Sequence, residues 1–241
     1  AESIVARDAR VPAWLNLLED SIENSGLLEE PSIFAIFLNA LQDTSWNGRW
    51  VAAGALALTH NKAAVPILVE CLQDEDHEVR SSPAYALGSL GDAASVPALI
   101  RLTGDESSSV RVAALSALGQ LGHVSALPVI WEKVEDGSHV VRFEVGLLIV
   151  LLQDESTISR LMALLANGSG RAREIAAHAL GLLSERIAVP LLVSALTDTD
   201  FYVRFRALEA LSRIDEEETL PYLLDALRRQ EGNNRGYIIE A

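Results

Sequence analysis

The residues VRSSPAYALGSLG at 79–91 decide the fold, because the chain repeats them: VRVAALSALGQLG stands at 110–122 and VRFEVGLLIVLLQ at 141–153. The step is 31 residues each time. Continued in both directions, it falls on Arg49, Arg80, Arg111, Arg142, Arg173, Arg204 and Arg235, seven arginines in register without an insertion or deletion. A fixed period of this length marks a stacked supersecondary unit.

Other columns keep the same register. Fourteen residues before the arginine stand Pro66, Pro97, Pro128, Pro190 and Pro221, with Ala35 and Ser159 as exceptions. Proline is tolerated in the first turn of a helix, so this column marks the start of a helix A. Six residues before the arginine stand Asp43, Asp74, Asp105, Asp136, Asn167 and Asp198, and four before it Ser45, Asp76, Ser107, Ser138, Ser169 and Asp200. The second of these columns is the N-cap of a helix B, its side-chain oxygen accepting from amides that lack a helical partner. Pairs such as Leu87 with Leu90, or Leu118 with Leu121, supply helix-period core contacts, and Gly91 or Gly122 ends the helix. The Asp and Arg columns flank the A-to-B turn, where Arg can bridge carboxylates and carbonyls of adjacent repeats, a structural role.

A helix pair of 31 residues cannot bury its own apolar face, so neighbours must stack to complete the core. The expected fold is all-α, an α-solenoid of about six such pairs beginning near residue 31. A seventh helix A is expected near 217–229, with its helix B short or missing. Residues 11–26, VPAWLNLLEDSIENSG, are out of register and read as a capping helix within an N-terminal segment 1–30; residues 236–241 end the incomplete seventh repeat.

Composition agrees. Of 241 residues 49% are hydrophobic but only 5% aromatic, which suits closely packed Ala- and Leu-rich helices. The formal charge of -15 opposes binding to nucleic acid or to an anionic membrane, since phosphate must be neutralised by Lys and Arg. Only Lys62 and Lys133 are lysines, and several arginines are committed to the repeat. A lone cysteine, Cys71, allows no intrachain disulfide framework and no all-protein cysteine-rich metal centre; it reads as a half-buried small hydrophobe in a reducing compartment. No apolar run is long enough to span a bilayer and AESIVARDAR lacks a signal-peptide core, so the expectation is a soluble, cytoplasmic protein.

The VRxxAxxALGxLG pattern with its proline-started helix A resembles the HEAT-like repeats of the phycobilisome lyase family over roughly residues 31–235. That resemblance implies a right-handed superhelix whose B helices line the concave surface. It also implies two functions. One is a non-catalytic scaffold or adaptor holding a protein partner, a phycobiliprotein or a second HEAT-repeat subunit, in phycobilisome assembly or degradation. The other is a bilin lyase, or a lyase-like chaperone subunit, that presents a transiently bound bilin to a phycobiliprotein cysteine. Scaffold is the first reading, with no catalytic residue, metal or resident cofactor.

His77-Glu78 invites comparison with deoxyhypusine hydroxylase, which by resemblance binds iron through His-Glu pairs on several repeats. Here the equivalent positions are Asn47, Ser108-Ser109, His139-Val140, Gly170-Arg171 and Phe201-Tyr202, so a single pair exists. His60, His123 and His178 occupy three different repeat positions and are not expected to converge. HEAT-like DNA glycosylases use a basic groove, the wrong sign for this chain. No nucleophile elbow, Walker loop or dinucleotide fingerprint is present; Gly168-Ser169-Gly170 is an A-to-B turn.

Specificity in a repeat scaffold belongs to columns that packing does not dictate. One residue after the arginine come Trp50, Ser81, Val112, Phe143, Glu174 and Phe205, and five after it Gly54, Tyr85, Ser116, Leu147, His178 and Glu209, one turn apart on helix B. Phe143, Leu147 and Leu151 form a stripe, with Trp50, Tyr85 and Phe205 on other B helices. Trp46, His77, His139 and Phe201, three residues before the arginine, form a second ridge. These are the candidate partner-binding residues, unless the stripe is ordinary core. Pro83, where the siblings are Ala52, Ala114, Val145, Ala176 and Ala207, should kink its helix or delay its start and expose the Val79 carbonyl near Tyr85.

Overall fold

The computed structural model describes residues 31–214 together with 219–222 and 224. The expected capping helix within 1–30, most of the seventh repeat, Arg235 and residues 236–241 lie outside them.

Each 31-residue period within residues 31–214 folds as a pair of helices, and the described residues are entirely helical apart from turns. In the first unit, up to residue 126, the helices are α1 (Pro31–Ala40), α2 (Trp46–Leu58), α3 (Val65–Cys71), α4 (His77–Leu90), α5 (Val96–Leu102) and α6 (Ser108–Leu121). The second unit, from residue 127, holds α7 (Leu127–Glu132), α8 (His139–Leu151), α9 (Thr157–Asn167), α10 (Gly170–Leu182), α11 (Val189–Ala195) and α12 (Phe201–Ile214). Odd helices are the A members and even helices the B members. Within the first unit α2 packs on α4 and α4 on α6; within the second, α8 packs on α10 and α10 on α12. Each unit therefore has the α-solenoid arrangement that the period requires.

The columns do what their chemistry predicts. Pro66, Pro97 and Pro190 sit in the first turns of α3, α5 and α11, where a missing amide costs nothing. Ser45, Asp76, Ser169 and Asp200 cap α2, α4, α10 and α12, accepting from Gly48, Glu78, Ala172 and Tyr202. Ser107 and Ser138 hold the same place without a side-chain cap bond; the Ser107 hydroxyl is instead 2.8 Å from that of Ser109. Gly91 and Gly122 close α4 and α6 in the left-handed region, both at φ 65°. One period before and three after Gly91 that left-handed position falls to His60 (φ 49°) and Ser184 (φ 54°), which accounts for His60 as a helix terminator.

The core is built from column-mates. Seven residues past each arginine, Leu56, Leu87, Leu118, Ile149, Leu180 and Leu211 are all fully buried. The glycine of the ALG motif has a different cause. A Cβ on Gly88 would lie 2.8 Å from the Ala117 Cα, and one on Gly181 would lie 2.6 Å from both Cα and Cβ of Ala210. Consecutive B helices approach too closely there for any side chain.

Pro83 corrects an expectation. α4 runs without interruption from His77, directly after its Asp76 cap, so the helix does not start late. Pro83 is buried at a position whose siblings are core residues, and Val79 is fully buried, so its carbonyl is not offered to a partner. The Asp76 cap, the Gly91 terminator and packing on α2 and α6 fix this helix along its length, and tertiary contact overrides the local penalty.

Candidate functional site

The Arg and Asp columns form a clasp. Arg80 Nε donates to Asp105 Oδ2 at 2.8 Å and its Nη2 to Asp105 Oδ1 at 2.9 Å, while Nη1 binds the Asp74 and Glu75 carbonyls of its own turn. Arg49 holds Asp74 and Arg173 holds Asp198 in the same two-pronged way. Each aspartate also accepts the backbone amide two residues on, from Asp76, Ser107 and Asp200. One carboxylate thus joins two repeats and shapes a turn. Bonding to Arg49 holds the Asp74 carboxyl below the usual carboxylate range; burial pushes Asp105 and Asp198 upward, but their arginines and turn amides outweigh it and hold both low.

Arg142 breaks the series. Its Nη1 binds the Asp136 and Gly137 carbonyls as in the other repeats, but the residue in the aspartate column is Asn167, which is exposed at the end of α9. The Arg142 Nε is buried with no hydrogen-bond partner, and Nη2 reaches only to 3.8 Å from Glu174 Oε2.

Arg142 lines a cleft on the B-helix face of the second unit, with His139, Phe143 and Gly146 from α8, Glu174, Ile175 and His178 from α10, and Arg206 from α12. Counting its open mouth the cleft measures about 250 Å³, yet only about 10 Å³ of it admits a water-sized sphere. The Phe143 ring stacks on the His178 imidazole with centroids 5.6 Å apart. His178 is buried, with Nδ1 3.7 Å from Glu209 Oε2 and Nε2 buried and unpartnered. Burial, reinforced by the positive charge of Arg206, pushes its pKa down to about 4, so the ring is neutral at pH 7. Glu209 is gripped by Arg206 at 2.8 Å and Arg213 at 2.7 Å. His139 Nε2 lies 3.5 Å from Glu174 Oε1.

The outer rim of this face is aromatic. Phe143 is 41% exposed and Leu151 60%, with Leu147 half-buried between them, so the stripe on α8 faces outward rather than into the core. On α12, Phe201 and Tyr202 are exposed and Phe205 is half-buried; Phe201 stacks on Phe205 at 6.5 Å. His139 and Tyr202, two repeats apart, bring their rings within 6.3 Å across the intervening Gly170 position, which carries no side chain. In the first unit, Trp46 and His77 are exposed and Trp50 and Tyr85 half-buried on α2 and α4. His77 lies near its own neighbours, 3.7 Å from Asp76 and 3.6 Å from Glu78. Among the described residues no group of three or more His, Cys, Asp or Glu side chains could hold a metal ion.

Sequence reasoning named His139, Phe143 and Leu147 on this face and did not connect His178 with His139; the structure brings the two to one cleft. It missed Arg142, Glu174 and Arg206 as a set. The available signal was Asn167, a neutral residue in a column of aspartates.

The HEAT-repeat family profile matches residues 34–109, 99–181 and 158–241. The chain belongs to the HEAT-repeat family. No curated protein matches this HEAT-repeat chain. Among solved structures it is similar to the Escherichia coli protein YibA, with 24% identity, 92% of this chain and 84% of that one covered, and a TM-score of 0.57. Similarity extends to a chain of the CpcE–CpcF complex of phycocyanin lyase from Nostoc sp. PCC7120, at 23% identity, coverage of 94% and 84%, and a TM-score of 0.49. Human deoxyhypusine hydroxylase matches at 23% identity, coverage of 94% and 85%, and a TM-score of 0.39. At these identities the first likeness establishes the fold and nothing about activity. Among the described residues no helix is long and apolar enough to cross a membrane.

Proposed function

We propose that this HEAT-repeat chain is a non-catalytic scaffold that holds a protein partner on the B-helix face of its second unit. The observation that carries the reading is the run of outward aromatic and aliphatic side chains there: Phe143, Leu147 and Leu151 on α8, and Phe201, Tyr202 and Phe205 on α12. Solenoids present such faces because stacking fixes the inner columns and leaves the outer ones free to vary. Aromatic side chains bring large contact area at low entropic cost, which is why they anchor protein interfaces.

The repeat pattern VRxxAxxALGxLG supports a finer kinship with the HEAT-like repeats of phycobilisome lyases, and with it a cytoplasmic adaptor whose partner is a phycobiliprotein or a second HEAT-repeat subunit. In this reading no cofactor is resident and no nucleic acid or membrane is engaged. A ligand pocket commonly encloses several hundred Å³, so a bilin would lie on this face rather than enter a cleft of which only about 10 Å³ admits a water-sized sphere.

The test is affinity capture from the native cytoplasm followed by mass spectrometry, comparing the wild-type chain with a folded Phe143→Ala/Phe201→Ala/Phe205→Ala variant. Loss of a specific protein partner in the variant is the expected outcome. Identical partner sets refute the proposal. Visible absorbance copurifying with the wild-type chain would favour the bilin-handling role instead.

A further inference from the structure

We infer that the cleft on α8, α10 and α12 receives a carboxylate from the partner protein, an Asp or Glu side chain gripped by the Nε/Nη2 edge of Arg142. The inference rests on the scaffold reading and gives its partner a chemistry.

The repeat itself supplies the argument. In three places the guanidinium edge formed by Nε and Nη2 closes on a carboxylate, Asp74, Asp105 or Asp198, at 2.7–2.9 Å. Arg142 is fixed through the same Nη1 bonds to its turn, at 2.9 and 3.3 Å, so its fork is aimed by the same scaffold. Replacing the aspartate by Asn167 removes the internal carboxylate and leaves a buried donor unsatisfied. An unpaired buried donor is destabilising, and an incoming acceptor relieves that cost. Arg142 is nine-tenths buried, and the second unpartnered nitrogen, His178 Nε2, lines the same cleft.

Charge and size narrow the occupant. Around the cleft stand three guanidiniums, Arg142, Arg206 and Arg213, against two carboxylates, Glu174 and Glu209, so the site is locally positive on a chain of net charge -15. Glu174 lies 3.5 Å from His139 and forms an ion pair with Arg142 Nη2 at 3.8 Å, but it makes no hydrogen bond to the fork and leaves Nε without a partner. The notch encloses the tip of a side chain and not a whole molecule, while the outward rings of Phe143 and Tyr202 offer the surface for the rest of a protein. Phe143 stacks on His178 at the mouth, with ring centroids 5.6 Å apart.

The experiment observes the arginine Nε–Hε signals of the full chain by NMR while N-acetyl-phenylalanine is added, with N-acetyl-phenylalaninamide as the uncharged control. A saturable shift of the Arg142 signal with the acid and not the amide is expected. Asn167→Asp supplies the internal carboxylate; it should move the Arg142 signal to the position of Arg80 and Arg173, raise the melting temperature by a few degrees, and weaken the probe at least tenfold. No response to the acid, an equal response to the amide, or an undiminished response in Asn167→Asp overturns the inference. Capture of the partner separates the two readings. If the aromatic triple variant loses the partner while Asn167→Asp binds it as the wild type does, the carboxylate inference falls and the scaffold stands; if neither variant loses it, both fall.

Discussion

Arg80 and Asp105, 25 residues apart in the chain, are held by two charge-assisted hydrogen bonds of 2.8 and 2.9 Å at a site where both side chains are about nine-tenths buried. The spacing places the arginine at the start of one helix B and the aspartate in the next A-to-B turn, so the bond staples consecutive repeats. Exposed ion pairs contribute little, but this one is shielded, bidentate and shared with a turn amide.

Asp105→Ala should therefore destabilise the fold by about 1–3 kcal/mol, since it leaves the Arg80 fork unpaired and removes the acceptor of the Ser107 amide. Asp105→Asn should cost somewhat less, because its oxygen still serves the turn. Urea unfolding of the two variants and the wild type checks the order.

Gly181→Ala should also destabilise, although alanine is the better helix former. The gain in propensity is about 1 kcal/mol, while the new methyl would meet the Ala210 backbone at 2.6 Å and push α10 from α12. The expected net loss is about 1–3 kcal/mol. A Gly181→Ala/Ala210→Gly double variant should recover part of it, as measured by thermal unfolding.

His178 predicts a pH dependence. Its folded pKa of about 4 lies below the ordinary 6.5, so between these values the unfolded chain binds a proton that the folded chain does not. Stability is greatest above pH 6.5 and falls as pH drops toward 4, by up to about 3 kcal/mol, and this contribution is flat below that. Arg206, Arg213 and Glu209 on α12, Glu174 on its own helix, and Arg142 and His139 on α8 are the charged and titratable groups that face it. His178→Gln should flatten the stability profile in that window. The lowered carboxylates, Asp74, Asp105 and Asp198, weaken the fold at lower pH, as they protonate, and are unaffected by the substitution.

Pro83→Ala should stabilise the chain by about 1 kcal/mol. It restores a donor for the Val79 carbonyl, and the small loss of buried volume offsets only part of that gain. Because both residues are buried, the substitution should leave partner capture unchanged. A destabilised variant in thermal unfolding would contradict this account.

Much of the architecture was legible because the interactions are themselves periodic. A proline in a first turn, a cap four residues before an arginine and a glycine after the last leucine are local rules, and a fixed step tells which copies must meet. The clasp from Arg80 to Asp105 follows from the register and from one property of guanidinium, its two-pronged match to carboxylate. The ALG glycine was visible as a column, but its reason, the Ala210 backbone beside Gly181, lies in the neighbouring helix.

The candidate site was less legible. Phe143, His178 and Arg206 belong to three different repeats and two different columns or none, and nothing in their spacing says that they share a cleft. Pro83 reads as a helix breaker until its buried position in α4 is seen. The chain by itself determined the repeat, the helix boundaries and the bonds that recur with the period, because those depend on residues at fixed separations. Only the tertiary structure decided which side of α8 faces outward and which arginine is left with an unpartnered Nε. Exposure and unmet hydrogen bonds are properties of all the surrounding side chains at once, and Asn167, one residue out of pattern, has its effect on Arg142 through space.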